Sequence, residues 1–352
     1  MTEKPLKPNA PLFEAIHAIE KTHRRIAVVV DEEKFLLGTL TDGDVRRCLL
    51  TGGTLETPVH EAMERKPVYA PEGSAPNYLL DLMVHHNIMA IPLVDTAGRF
   101  VKLVRKTELE GDLVNIETPS SNFDFAVIMA GGEGRRLRPL TENIPKPMVD
   151  IGGVPLLERQ IKRLSSAGIT RIYLGVNYLG QKIEEYFGSG MQFGVEIFYL
   201  REKEKSGTAG ALSLLPERPS RPIVVMNGDI LTTSDFQSFY SFHQQHHALI
   251  TAAAVEYVVD IPFGVIQNEG VFVSQLVEKP SQRFLCNAGI YALSPEALDR
   301  IPPSCHFNMT DLIEGSLADQ YPVAVFPVHE YWSDIGTPED LDSARTYFQS
   351  IT

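Results

Sequence analysis

Cysteine is scarce in this 352-residue chain, and its three copies, Cys48, Cys286 and Cys305, are odd in number and far apart. That spacing excludes a disulfide framework and offers no zinc knuckle. A reducing, cytoplasmic setting is expected, with the three thiols as packing residues. Long apolar runs are missing too, since none approaches the roughly 20 residues a membrane-spanning helix requires. The first thirty residues, with Pro5, Pro8, Pro11 and Glu14, lack the apolar stretch of a secretory leader. Positive charge is in deficit: 32 Lys and Arg face 45 Asp and Glu, a formal net charge of −13. Residues 1–124 carry 14 basic against 19 acidic side chains, and residues 125–352 carry 18 against 26. A protein that coats nucleic acid by counterion release shows the opposite balance. An anionic ligand would require the few basic residues to be concentrated locally.

What is present is ordinary for a water-soluble globular protein, with 43% hydrophobic and 22% charged residues. The length suggests two or three domains. The polar stretch Asn115-Ile-Glu-Thr-Pro-Ser-Ser-Asn-Phe-Asp124 reads as a linker region. It sets a first domain over 1–117, a linker over 118–124 and a second domain over 125–352. Upstream lies an internal repeat with a period of 64 residues, in which Ala27-Val-Val-Val-Asp31 returns as Ile91-Pro-Leu-Val-Asp95. A helical pattern precedes each copy, over 12–22 and 77–86, and an acidic residue, Asp44 or Glu108, follows each. Two such units are expected to pair around a shared core.

These residues resemble a pair of CBS (cystathionine-β-synthase-type) modules forming a small α+β domain. The string Gly38-Thr-Leu-Thr-Asp-Gly-Asp-Val-Arg46 carries the likeness. The resemblance implies a regulatory adenosine nucleotide, with the Thr41 hydroxyl facing phosphate and the Asp44 carboxylate accepting bonds from ribose hydroxyls. In the second copy Lys102, Arg105 and Glu108 replace the Gly, Thr and Asp, so one nucleotide site is expected rather than two. The alternative is that the pair only dimerises or stiffens the protein. A homodimer is expected, because CBS pairs often associate face to face.

Beyond the linker, strands are expected over 125–130, 171–176, 195–200 and 222–227, and helices over 155–166, 181–187 and 209–215. In the first of these helices Leu156, Leu157, Ile161 and Leu164 share one face, and Gly168 is its stop. The alternation predicts a Rossmann-like α/β domain with a mixed, mostly parallel sheet covered on both faces. Ligands in such sheets bind at the carboxyl ends of the strands.

Ala130-Gly-Gly-Glu-Gly-Arg-Arg-Leu-Arg-Pro-Leu140 follows the first strand directly. Gly131, Gly132 and Gly134 let backbone N–H groups approach phosphate oxygens with no Cβ in the way. The loop is not a P-loop, since no Lys-Ser/Thr follows at that spacing, and the third position of a dinucleotide fingerprint is Leu137. Pro139 disfavours helix at Arg138 and keeps the loop long. Arg136, Arg138 and Lys146 lie within eleven residues of one another in an acidic domain, which concentrates positive charge where an anion would sit.

With Ile144-Pro-Lys-Pro-Met148 added, this string resembles the signature of nucleoside-diphosphate-sugar pyrophosphorylases, and the likeness runs from Phe125 nearly to the C-terminus. The resemblance implies that Ala130, Gly131, Gly132 and Gly134 hold a nucleotide, whose base faces Gly207 and Thr208. It implies that Arg136 and Lys146 bind phosphates and stabilise the transition state. Asp229, after Asn227-Gly228, and Asp334, expected in a turn of Tyr331-Trp-Ser-Asp-Ile-Gly-Thr-Pro338, would hold Mg²⁺. Gly264, Glu278, Lys279 and Asn287, the last expected to begin a strand, would form the sugar-phosphate pocket. Arg135 stands where Thr or Ser is commoner, and its role is open. His243, His246 and His247 lack ligand spacing and read as solvated surface, so zinc is not implied.

The implied reaction joins a nucleoside triphosphate to a sugar 1-phosphate and releases pyrophosphate. The CBS pair together with Gly207-Thr-Ala-Gly-Ala-Leu-Ser-Leu214 resembles guanylyltransferases acting on hexosamine 1-phosphates in bacterial surface-sugar pathways. Three alternatives stay open: a catalytically silent nucleotide-sugar-binding protein, a metabolite-sensing adaptor centred on the first domain, and an enzyme using mannose or glucose 1-phosphate with another triphosphate. A silent relative would be expected to lose Arg136, Lys146 or an aspartate, and this chain keeps all four.

Overall fold

The 64-residue period of the sequence is kept strand for strand. Ile26–Val30 runs antiparallel to Leu36–Thr41 with Ala27 opposite Leu40, and Ala90–Val94 runs antiparallel to Phe100–Arg105 with Ile91 opposite Val104. Both ladders slip at the equivalent step, between Val29 and Val30 and between Leu93 and Val94. Helices Leu12–Lys21 and Pro76–His85 precede the two ribbons. Val28 and Val30 of one copy pack with Ala90, Phe100 and Leu103 of the other. The two copies therefore share a core, which supports sheets of only two and three strands. Thr41 caps the helix Asp42–Leu50: its backbone N–H and its hydroxyl donate to Asp44 Oδ2 at 2.9 and 2.7 Å. The Thr and Asp singled out in the sequence thus form a capping box.

This computed structural model describes residues 4–21, 26–86, 88–109, 123–202, 204–303 and 305–351. The chain divides into two units, Met1–Glu117 and Thr118–Thr352. Residues 118–122 of the expected linker lie outside the described residues. No helix among the described residues is long and apolar enough to cross a membrane.

The second unit is built on a seven-stranded sheet. In chain order its strands are Ala126–Met129, Arg171–Val176, Glu196–Arg201, Ile223–Asn227, Ile250–Asp260, Ser281–Leu293 and Val323–Val328. Their spatial order is 3-2-1-4-6-5-7. Neighbours are parallel except for the two pairings made by the sixth strand. Alternate residues enter different cores. Ala126, Ile128, Val224, Met226 and Ile290 pack on one face, and Phe125, Val127, Ile223, Val225 and Tyr291 pack on the other. Both faces are covered, which explains why these strands read as unbroken apolar runs. Helix Leu156–Ser166 buries Leu156, Leu157, Ile161 and Leu164 as its pattern requires, and Gln160 with them. Gly168, at φ +80°, follows its end.

The segment 209–215 is not one helix but an α-turn, Gly207–Gly210, followed by a 3₁₀ turn, Ala211–Leu214. Backbone bonds from Ala209 N to Phe307 O (3.0 Å) and from Phe307 N to Ser206 O (2.8 Å) hold it in that shape. Cys286 and Cys305 are exposed rather than packed, and only Cys48 lies against a core.

His243 is buried, while His246 and His247 are exposed. Its ring nitrogens lie 2.8 Å from Thr251 Oγ1 and 3.0 Å from Ser294 Oγ, so it cross-links a helix to two strand ends. Burial lowers its pKa from 6.5 to about 4. Between those values the unfolded chain binds a proton that the folded chain does not. Stability is therefore full above pH 6.5 and falls as the pH drops toward 4, by about 3 kcal/mol in all. His243→Gln should flatten that part of the pH dependence of the urea midpoint. An unaltered slope would count against this role.

Candidate active site

The first and fourth strands adjoin where the strand order reverses, and the backbone makes their carboxyl ends meet closely. Gly228 N donates to Met129 O at 2.9 Å. A Cβ on Gly228 would lie 2.6 Å from that oxygen. Gly228 thus delivers Asp229 beside the glycine loop. The chain then enters a short strand, Ile230–Thr232, antiparallel to Trp332–Asp334, with Ile230 opposite Asp334. Asp334 therefore ends a strand rather than sitting in a turn. Ile335 N closes the ladder by donating to Asp229 O at 2.9 Å, which sets the two aspartates side by side.

The glycine loop folds back on Lys146. Gly134, at φ +61°, starts the 3₁₀ turn Arg135–Leu137, and the Thr141 hydroxyl donates to Gly134 O at 2.7 Å. A Cβ on Gly134 would lie 2.8 Å from Lys146 Cβ. Lys146, with only 9% of its side chain exposed, donates from Nζ to Asp229 Oδ2 at 2.5 Å and lies 3.8 Å from Asp334 Oδ1. The Arg136 guanidinium packs against Gly336, where a Cβ would approach Nη2 to 3.1 Å. Burial, and then the Asp229 charge, push the Asp334 carboxyl above its usual range, against the pull of Lys146 and Arg136. Asp334 Oδ1 is buried with no hydrogen-bond partner. Two adjacent carboxylates, one with an unsatisfied buried oxygen, suit a hard divalent cation, which Asp229 and Asp334 could hold.

A cleft of about 290 Å³ opens beside this cluster. Gly131, Gly132, Lys146, Gly207, Thr208 and Asp229 line it. Ala130 is buried behind the loop, where its N–H donates to Gly175 O at 2.8 Å. Gly207, at φ +82°, passes so near Phe307 O that a Cβ would lie 2.5 Å from it. The Thr208 hydroxyl accepts from Met309 N at 2.9 Å, which ties this wall to the helix Met309–Ala318. Glu133, Asn177, Glu202 and Lys205 also line the cleft. Sequence reasoning missed all four, because Arg201-Glu-Lys-Glu-Lys205 reads as solvated charge and Glu133 as a loop filler. Burial raises the pKa of the Glu202 carboxyl.

Gly264 and Glu278 are neighbours, since a Cβ on Gly264 would lie 2.9 Å from Glu278 Oε2. They close a hairpin, Val265–Glu269 with Phe272–Val277, in which Val265 is opposite Val277. Lys279 adopts φ +46°, a left-handed conformation that persists only where surrounding structure enforces it. Gly264, Glu278 and Lys279 are not among the residues lining the cleft. Asn287 lies inside strand Ser281–Leu293 rather than at its start. A bulge opposite Ala252 and Ala254 sets it there, with Nδ2 donating to the Tyr291 hydroxyl at 2.8 Å and Oδ1 accepting from Gly289 N at 3.0 Å. A Cβ on Gly289 would lie 2.7 Å from Asn227 Nδ2, so this bulge abuts the cleft floor.

A mostly parallel sheet whose strand-order reversal joins a glycine loop to lysine-bridged carboxylates defines an α/β domain of the phosphate-handling, nucleotide-binding class. The chain belongs to the nucleotidyl transferase family, matched over residues 125–350, and carries matches to the CBS domain over 1–51 and 59–111. It is 34% identical over 239 residues to mannose-1-phosphate guanyltransferase beta-A of Xenopus laevis, covering 64% of this chain and 65% of that one. It is 31% identical over 224 residues to mannose-1-phosphate guanylyltransferase of Mycobacterium tuberculosis, covering 61% and 62%. The chain thus spans just under two thirds of the length of these relatives. The crystal structure of HddC from Yersinia pseudotuberculosis superposes with a TM-score of 0.51 at 28% identity, over 64% of this chain and 100% of that one.

Proposed function

We propose that the second unit transfers a nucleoside monophosphate from a triphosphate to a sugar 1-phosphate, releasing pyrophosphate. The observation that carries this reading is Lys146 set between Asp229 and Asp334 beside the glycine loop. An oxygen of the sugar phosphate bonds to the α-phosphorus as that phosphorus parts from the oxygen bridging to the β-phosphate. The attacking oxygen is already ionised at neutral pH, so no general base is required. The barrier is alignment and repulsion between two anions, and those are what this chain's residues address. Backbone N–H groups of Gly131, Gly132 and Gly134 receive the phosphates, and Gly207 and Thr208 face the base. Arg136 and Lys146 neutralise charge at the α-phosphate. Glu278 binds sugar hydroxyls beside Gly264, Asn287 flanks the sugar, and Lys279 orients the attacking phosphate. Mg²⁺ on Asp229 and Asp334 would supply further neutralisation of the transferred and leaving groups.

GTP is the proposed donor, supported by the guanylyltransferase names of the relatives. A hexosamine 1-phosphate is the proposed acceptor, serving bacterial surface-glycan synthesis, and rests on the resemblance to CBS-linked guanylyltransferases. Mannose 1-phosphate is the second reading, favoured by those same names. Pyrophosphate release should be measured for four triphosphates against glucosamine, glucose and mannose 1-phosphates. GTP with glucosamine 1-phosphate is expected to be fastest. A faster mannose 1-phosphate reaction would move the acceptor, and silence in every pair would end the transferase reading.

In the first unit we propose an adenosine nucleotide at Thr41 and Asp44 that modulates this activity. Calorimetry with AMP and ATP should show binding that Asp44→Ala abolishes. No heat with either nucleotide would remove the idea.

A further inference from the structure

The mouth of the cleft holds a charge arrangement that the steps above leave unused. Glu133 stands at the tip of the glycine loop, and two cations converge on it. Arg135 Nε donates to Glu133 Oε2 at 2.6 Å, and Lys205 Nζ donates to Glu133 Oε1. Lys205 comes from the segment that leads into Gly207, so this ion pair runs from one wall of the cleft to the other. Among the described residues neither cation has a second carboxylate partner. The hydrogen bonds from Arg135, and then from Lys205, draw the Glu133 carboxyl down to about 2, so it is ionised at neutral pH.

Depth orders the cleft. Lys146 is almost buried at its inner end, whereas the side chains of Arg135 and Lys205 are 72% and 60% exposed. With its α-phosphorus beside Lys146, a triphosphate that keeps its β- and γ-phosphates toward solvent brings them to the mouth. There, several phosphate oxygens offer Arg135 and Lys205 more charge-assisted bonds than one carboxylate can. We infer that Lys205 is a ligand of the β- and γ-phosphates, and that Glu133 latches it, with Arg135, until the triphosphate displaces the carboxylate. This inference rests on the transferase reading. It gives Arg135 and Glu133 a joint purpose: one pre-positions cations and the other is a cation so positioned. The cost is that substrate must break the latch, which weakens its apparent affinity.

The test is calorimetry of the full chain with GTP and with GMP, both in Mg²⁺. Lys205→Ala is expected to weaken GTP binding about 10-fold, the size of one charge-assisted bond, and to leave GMP binding unchanged. Glu133→Gln is expected to tighten GTP binding by about 2–5-fold, the strength of an exposed ion pair. That gain should shrink when Lys205→Ala is added. Equal weakening of GTP and GMP in Lys205→Ala would place Lys205 on the nucleoside and overturn the inference, as would unchanged GTP binding. Weaker GTP binding in Glu133→Gln would overturn the latch. If the wild-type chain binds no GTP and releases pyrophosphate from none of the four triphosphates, the transferase reading fails and the inference falls with it.

Discussion

Lys146→Ala is expected to lower the rate of pyrophosphate release at saturating substrate by about 10²–10³-fold, the usual loss when one preorganised charge leaves a reacting phosphoryl group. Its Nζ lies 2.5 Å from Asp229 and 3.8 Å from Asp334, so the variant also leaves two neighbouring carboxylates without the ammonium between them. Asp334 is already held above its usual pKa by burial and by Asp229. Thermal stability should therefore drop in the absence of metal and recover when Mg²⁺ is added, more than in wild type. Lys146→Arg is not expected to rescue the rate, because a planar, forked guanidinium cannot reproduce the compact ammonium that reaches Asp229 and Asp334 together. Asp229→Asn should cost a similar factor from the other side of the same bond. Near-normal release from either Lys146→Ala or Asp229→Asn would remove the assignment of this cluster to the chemistry.

Gly228→Val should be nearly as damaging without touching any charged group. Its Cβ would fall 2.6 Å from Met129 O and 3.1 Å from Ala130 Cα. Both are backbone atoms of the first strand's end, so no side chain can swing aside. The strand ends must separate, which should cost about 1–3 kcal/mol in stability. Because Asp229 is the next residue, its carboxylate would move relative to the glycine loop. A displacement of about 1 Å at such a site lowers rates by about 10²-fold. Gly315→Ala is the control: a Cβ there meets nothing within 4 Å, inside the helix Met309–Ala318. It should leave the rate unchanged and stability equal or slightly higher. Equal melting temperatures and rates for Gly228→Val and wild type would show that the close approach is not required.

Much of this was legible in the chain itself. The strand at 171–176 is found over the same residues, and the helix expected at 155–166 starts one residue later, after Pro155. The 64-residue repeat predicted two units paired around a shared core, and their hairpins share even the position of their bulges. Arg136, Lys146, Asp229 and Asp334 could each be named from motifs, and the structure gathers all four. His243 misled, because a polar helix end reads as surface. Its buried ring is satisfied by two hydroxyls, Thr251 and Ser294, supplied from later in the chain. Residues 209–215 misled for a related reason, as contacts with Phe307 outweigh the local preference for helix.

By itself, then, the sequence determined the two-part organisation, the repeat, the alternating α/β pattern and the kinds of residue at the site. Those are properties of short windows, in which periodicity and turn chemistry report interactions between residues a few positions apart. Only the tertiary structure decided that Asp334 stands beside Asp229, 105 residues earlier, with Lys146 between them. Only there does Glu133 appear tied across the cleft to Lys205. Such meetings are set by the register between Ile230–Thr232 and Trp332–Asp334 and by the strand order at the carboxyl edge. Pairing between distant segments depends on how the whole core packs, and no local pattern encodes it.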